Sequence, residues 1–143
     1  MILEEFVIWQ KSIEEEIKHI SSLLSQLLSD EPMTLIGDLT SIEVWNARCQ
    51  NLLAQANSWL DRCRFSLMPQ KEEGKSEADR KAEVDNAIAP VRLMRDTLES
   101  FCDAIKQRLI LGESVLSFHK SYVLSSGEKA QSPKKEIRGG FLY

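Results

Sequence analysis

Along IEVWNARCQNLLAQANSWLDRC, residues 42–63, apolar side chains return at alternating steps of three and four: Ile42, Trp45, Cys49, Leu52, Ala56, Trp59 and Cys63. A stripe with that period is the seam of a long helix that interlocks with a partner helix. Thr40 and Glu43 have the spacing of a capping box, so this helix is expected to begin near Ser41 and to end near Met68 and Pro69. Residues 2–28 carry an earlier stripe of Leu3, Phe6, Ile13, Ile17, Ile20, Leu24 and Leu27, interrupted by polar Gln10. Asp30 and Pro32 read as its stop, and residues 33–40, with Gly37 in the middle, read as a linker.

PQKEEGK is a polar turn, after which Ser76 with Glu77 and Asp79 supplies a cap and first-turn acids for a further helix. That helix is expected to reach about Tyr122 and to bury Ile88, Val91, Met94, Leu98, Phe101, Cys102, Ile105, Leu109 and Leu116. Pro90 removes a backbone donor and is expected to kink it, with Gly112 as a second weak point. Almost no segment alternates as a strand does. The pattern therefore predicts an all-α chain: an elongated antiparallel hairpin of long, coiled-coil-like helices, preceded by an N-terminal amphipathic helix. The expected divisions are an acidic helix and linker over 1–40, the hairpin over 41–123 and a flexible basic tail over 124–143. In such a hairpin Trp45 meets the Phe101 region and Trp59 the Ile88 region.

Charge adds an asymmetry that the pattern does not show. The net charge of -4 is the balance of an acidic arm over residues 1–40 and a mildly basic remainder. No apolar run approaches the roughly 20 residues that span a bilayer. Glu4 and Glu5 stand where a secretory signal carries positive charge, so no membrane association and a cytoplasmic location are expected.

Three cysteines, unclustered and odd in number, do not make a disulfide framework. Cys49 and Cys63 lie about 21 Å apart along one helix, beyond the roughly 7 Å limit for a bridged pair. His19 and His119 are isolated, so no metal site is expected, and the Trp and Cys repeat reads as packing of large against small side chains. No glycine-rich phosphate loop, GxSxG, HExxH or EF-hand sequence occurs, and the carboxylates at Glu72 and Glu73 or at Glu14 to Glu16 read as solvated charge. The chain is expected to be neither an enzyme nor the holder of a cofactor.

Basic residues offer a different chemistry. Arg62 and Arg64 close the seam helix, Lys71 and Lys75 occupy the turn, and Arg80 and Lys81 open the next helix, so a hairpin gathers them at one end. Such a cluster can hold nucleic-acid phosphates, with Phe65 available to stack on a base. Asp61, Glu72, Glu73, Glu77 and Asp79 lie among them, and a mixed solvated tip is the competing reading.

The stretch GKSEADRKAEVDNAIAPVRLMRDTLESFCDAIKQRL, preceded by a long helix ending in RCRF, resembles small helical bacteriophage proteins of the T4-type, UvsY-like recombination mediators. The resemblance covers about residues 45 to 120. It rests on a basic-x-basic pair followed by an aromatic, a polar turn, and a long amphipathic helix. It implies an oligomeric accessory factor that binds single-stranded DNA and helps load a recombinase onto strands covered by single-strand-binding protein. By position, Arg62 and Arg64 match the basic pair of the DNA-contacting motif. The acidic first helix and Pro90 depart from that pattern. A homo-oligomer is also expected from surplus apolar surface, with the stripe of Phe6, Ile13, Ile17, Ile20, Leu24 and Leu27 as its interface. The alternative is a helical adaptor or chaperone that binds a partner protein through its apolar seam and never touches nucleic acid.

Overall fold

The structure, a computed structural model, describes residues 1–68 and 76–135, with 126–135 as backbone only. Within these residues the chain is all-α, with helices α1 (Ile2–Ser12), α2 (Glu14–Ser25), α3 (Pro32–Ser66), α4 (Glu77–Ala87) and α5 (Ala89–Lys135) and no strand. The long helices α3 and α5 pack against each other as an antiparallel hairpin, and α1 and α2 run along it antiparallel to α3, with Phe6 beside Trp59, Glu16 at Arg48 and His19 stacked on Trp45.

The seam behaves as its spacing predicts. Ile42, Cys49, Leu52, Ala56 and Cys63 are buried from α3, and Ile88, Val91, Leu98, Cys102 and Ile105 are buried opposite them. Trp45 and Phe101 flank one buried cluster, while Trp59 and Ile88 share the other. The three cysteines are free thiols inside this interface. The contact that in-helix spacing could not reveal is between helices: Cys102 Sγ lies 3.3 Å from Cys49 Sγ, which in turn faces the Leu98 carbonyl oxygen at 3.8 Å. Burial pushes the Cys49 thiol up to about 12, so it stays protonated and packs as a small apolar group.

The helix starts differ from expectation in an instructive way. α3 begins at Pro32, and residues 33–40 are helix. Glu31 is the cap, accepting from the Met33 N–H at 3.2 Å and the Thr34 N–H at 2.6 Å. Pro32 occupies the first helical position, where its missing donor has no intrahelical partner to lose. Thr40 caps nothing, because its hydroxyl donates back to the Ile36 carbonyl oxygen at 2.9 Å within the helix. The expected boundary at residue 40 thus falls inside α3.

Ser76 caps α4 as expected, accepting from the Asp79 N–H at 3.1 Å. The expected kink at Pro90 falls two residues earlier, at Ile88, whose N–H still reaches the Val84 carbonyl oxygen at 3.0 Å. Ile88, with φ -93° and ψ 2°, separates α4 from α5, and Pro90 sits in the first turn of α5 where its ring is tolerated. Gly112 is no weak point: α5 passes through it, and a Cβ there would collide with Leu39 Cδ2 and lie 3.2 Å from Leu39 Cγ. Its missing side chain lets α3 approach α5. The helix also continues through 124–135, where a flexible tail was expected, because extending a formed helix needs only one residue to be fixed per added hydrogen bond. The rest of that tail, 136–143, lies outside the described residues.

The N-terminal arm is bent at Ile13, whose N–H still reaches the Trp9 carbonyl oxygen at 3.3 Å. Ser12 donates to the same carbonyl at 2.6 Å. The bend lets Phe6 enter the cluster around Trp59 while Ile13 and Ile20 enter the cluster around Cys49. This corrects the expectation of a surplus N-terminal stripe. Phe6, Ile13 and Ile20 are buried in their own chain, Ile17 and Leu24 pack against the same core, and only Leu27 stands free.

A polar ladder one turn-face round from the seam holds the arm down. Arg48 donates to both carboxylate oxygens of Glu16, at 2.8 Å for the longer bond, and to Asn51 Oδ1 at 3.2 Å. Gln55 donates to Asn51 at 2.6 Å and accepts from the Trp9 indole N–H at 2.7 Å. The Arg48 guanidinium holds the Glu16 carboxyl below its ordinary range, chiefly through these hydrogen bonds. At the end of α2, Arg108 of α5 donates to the Leu24 and Gln26 carbonyl oxygens, which suits a cation at a helix C-terminus.

Candidate nucleic-acid interface at the turn end

The end of α3 and the start of α4 enclose an open hollow of about 500 Å³ lined by Arg64, Met68, Glu77, Arg80, Lys81, Val84 and Asp85. Two of these charges suit their own helix ends. Arg64 lies in the last turn of α3, where a cation complements the dipole, and Glu77 lies in the first turn of α4, where an anion does. Packing the two ends together is what sets cations and anions around one space. Asp85 is engaged by Arg92 of α5 at 3.3 Å, which removes part of its compensation for the three cations. Among the described residues, Arg64, Arg80 and Lys81 carry no ion pair. Met68 and Val84 add an apolar surface to the same hollow.

The structure divides the sequence-predicted site. Arg64, Arg80 and Lys81 are brought together, and Phe65, 80% exposed, follows Arg64 at the end of α3 without lining the hollow. Arg62 is turned elsewhere. Residues two positions apart on a helix stand about 200° apart around its axis, so Arg62 and Arg64 cannot share a side of α3. The Arg62 guanidinium instead lies 3.9 Å from the centre of the Trp59 ring. Trp59 belongs to an aromatic group with Phe6 and Trp9, at centroid distances of 6.0 and 6.1 Å, so Arg62 covers the docking place of α1. Lys71 and Lys75 lie outside the described residues.

Sequence reasoning missed Met68 and Val84 as lining residues and Arg92 as the partner of Asp85. Helical angle was the available signal, since it separates Arg62 from Arg64. The pairing of Asp85 with Arg92 across the kink at Ile88 had no such signal, because a continuous helix sets residues seven apart on one face but two turns distant.

No group of three or more His, Cys, Asp or Glu side chains that could hold a metal ion occurs among the described residues. No helix among them is long and apolar enough to cross a membrane. Compared with known proteins, the chain matches no family model, no curated protein and no solved structure.

Proposed function

We propose that the protein is a non-enzymatic accessory factor that binds single-stranded DNA at the turn end of its hairpin, in the manner of a phage-type recombination mediator. The observation that carries this reading is the hollow in which Arg64, Arg80 and Lys81 converge with no ion pair among the described residues, with Phe65 exposed next to Arg64 in the last turn of α3. Three cations around one space match the spacing freedom of a flexible phosphate backbone, and an exposed ring offers a face to any base. Recognition of this kind is indifferent to sequence, because phosphate contacts place the strand without reading it. Assistance to a recombinase or to a single-strand-binding protein is the further role that the resemblance to recombination mediators implies.

Fluorescence titration of a labelled oligothymidine at low salt tests the reading. Arg64→Ala with Arg80→Ala should weaken binding to all sequences about equally, and Phe65→Ala should remove a further stacking contribution of roughly 1–3 kcal/mol. Arg62→Ala should change binding far less, since that guanidinium is occupied by Trp59. Failure of the wild type to bind single strands at low salt overturns the proposal. A second reading, a helical adaptor for a partner protein, draws on one observation, the apolar open end of the hairpin.

A further inference from the structure

Cys49 of α3 and Cys102 of α5 face each other inside the hairpin, with their sulfurs 3.3 Å apart. Cys49 sits over the turn of α5 between Leu98 and Cys102, since its thiol also reaches the Leu98 carbonyl oxygen at 3.8 Å. Both are buried in one packed cluster with Leu52, Leu98 and Ile105. Cys63, the third cysteine, belongs to the other cluster, with Leu60, Ile88 and Val91. Packing alone does not ask for sulfur at both positions, because Ala56 fills a small site of the same seam with no reactive atom. At 49 and 102, two atoms able to bond to each other are held in contact from positions 53 residues apart in sequence. A disulfide sets its sulfurs about 2.05 Å apart, so this pair has to close by only roughly 1.2 Å.

At rest the pair is quiet. Burial raises both thiols above their ordinary range, Cys49 up to about 12, so neither is appreciably ionised at neutral pH. The two are not equal, however. Against that burial, the Cys49 thiol and the Lys106 ammonium one turn further along α5 favour the Cys102 thiolate, opposed by Asp103 and Glu99. Cys102 is therefore the sulfur that ionises first when a local opening of the hairpin admits water, and Cys49 then waits within contact distance.

We propose that Cys49 and Cys102 are a modification site at which hydrogen peroxide converts the two thiols into a disulfide joining α3 to α5 within one chain. In the first step the Cys102 thiolate attacks one peroxide oxygen. An S–O bond forms, the O–O bond breaks, and the departing hydroxide takes up the proton that Cys102 released and leaves as water. In the second step Cys49 gives up its proton and its sulfur attacks the Cys102 sulfenic sulfur. The S–S bond forms, the S–O bond breaks, and the hydroxyl leaves with that proton as a second water. The two sulfurs together lose two electrons, and the peroxide gains them. Contact between the sulfurs makes the second step intramolecular, which favours it over further oxidation of Cys102. The link closes a loop containing α4 and the turn end and removes freedom from the unfolded chain. The inference stands apart from the DNA-binding reading, since neither sulfur lines the turn-end hollow.

Treatment of the full chain with hydrogen peroxide in urea below the unfolding transition, followed by alkylation of the remaining thiols and intact-mass measurement, tests it. The urea speeds local opening and so brings the reaction into a measurable time. Wild type and Cys63→Ala should each lose the mass of two hydrogen atoms as a single chain, and peptide mapping should join the Cys49 and Cys102 peptides. Cys49→Ala should instead accumulate oxygen on Cys102, and failure to do so overturns the proposed order of attack. After removal of urea and peroxide, the oxidised wild type should melt on the order of 10 °C above the reduced chain, and a thiol reductant should reverse the gain. A Cys49 to Cys102 link that leaves the melting temperature unchanged or lowers it overturns the proposal, because the sulfurs then do not meet in the native hairpin. So does the persistence of three alkylatable thiols, a link made through Cys63, or a link made only between chains.

Discussion

At the turn end the hairpin gathers Arg64, Arg80, Lys81, Glu77 and Asp85 around one hollow, whereas at the open end the hollow beside Pro32 is bordered mainly by Ile36, Leu116, Val123 and Leu124. The same pair of helices and the same seam lead to both. The difference arises from how each end is finished. At the turn end, α3 and α4 meet terminus to terminus, and charges that suit helix dipoles are brought face to face. At the open end, one helix simply outruns the other, and core-facing residues are left uncovered. A hairpin of unequal arms thus acquires one end lined mainly by charge and one lined mainly by apolar side chains, without a change in its core.

The largest expected effect sharpens the account of the turn end. Trp59→Ala should destabilise the chain by about 3 kcal/mol in urea unfolding, near the low end for a tryptophan because the ring is only partly buried. It should also release Phe6, Trp9 and Arg62 from their shared contact. A cost no larger than that of a surface substitution would mean that α1 does not dock beside the turn end.

Gly112→Ala examines the approach to the open end. The new Cβ meets Leu39, so overpacking of about 1–3 kcal/mol should outweigh the helix-propensity gain of up to about 1 kcal/mol. In a Leu39→Ala background the same substitution should become neutral or stabilising. Additive costs in that cycle would contradict the close packing of α3 on α5 here. Gly37 is the counterpart with open space around it, and Gly37→Ala should stabilise by about 0.5–1 kcal/mol, measured by the same unfolding curves.

The smallest effect separates the arm from both ends. Glu16 has its carboxyl pKa lowered in the folded chain, so its contribution is present above the ordinary value of 4.5 and is lost as pH falls through the lowered one. Because the pair with Arg48 is partly exposed, the loss should be at most about 1 kcal/mol. Arg48→Ala should flatten the pH dependence of stability in that acid window, and an unchanged profile would remove Glu16 from the account.

The hairpin was legible in the sequence because its cause is periodic. Seven apolar positions at three- and four-residue steps fix which face of α3 is buried, and the antiparallel register places Trp45 and Trp59 in the expected neighbourhoods. Punctuation was harder to read, since one residue serves opposite purposes. Pro32 ends one helix pattern and also starts the next, and the Thr40 hydroxyl, suited to a cap, bonds backward once the helix has begun upstream. The candidate site was legible in part. Arg64, Arg80 and Lys81 follow from the hairpin, but Arg62 required its angle around α3 and the position of Trp59. The arm's burial was not legible, because a stripe such as Phe6, Ile13 and Ile20 does not say whether its partner is the same chain or another.

The salt dependence of oligothymidine binding tests the proposed role of the turn end most directly. If the strand lies along Arg64, Arg80 and Lys81, log affinity should fall linearly with log salt, and each phosphate neutralised on a single strand contributes a slope of about -0.7. Replacing all three residues with alanine, in a chain that retains its helical circular dichroism, should lower the magnitude of the slope by about 2. A slope unchanged by that replacement would place the strand elsewhere on the molecule, and a wild type that binds no single strand at low salt would contradict the claim outright.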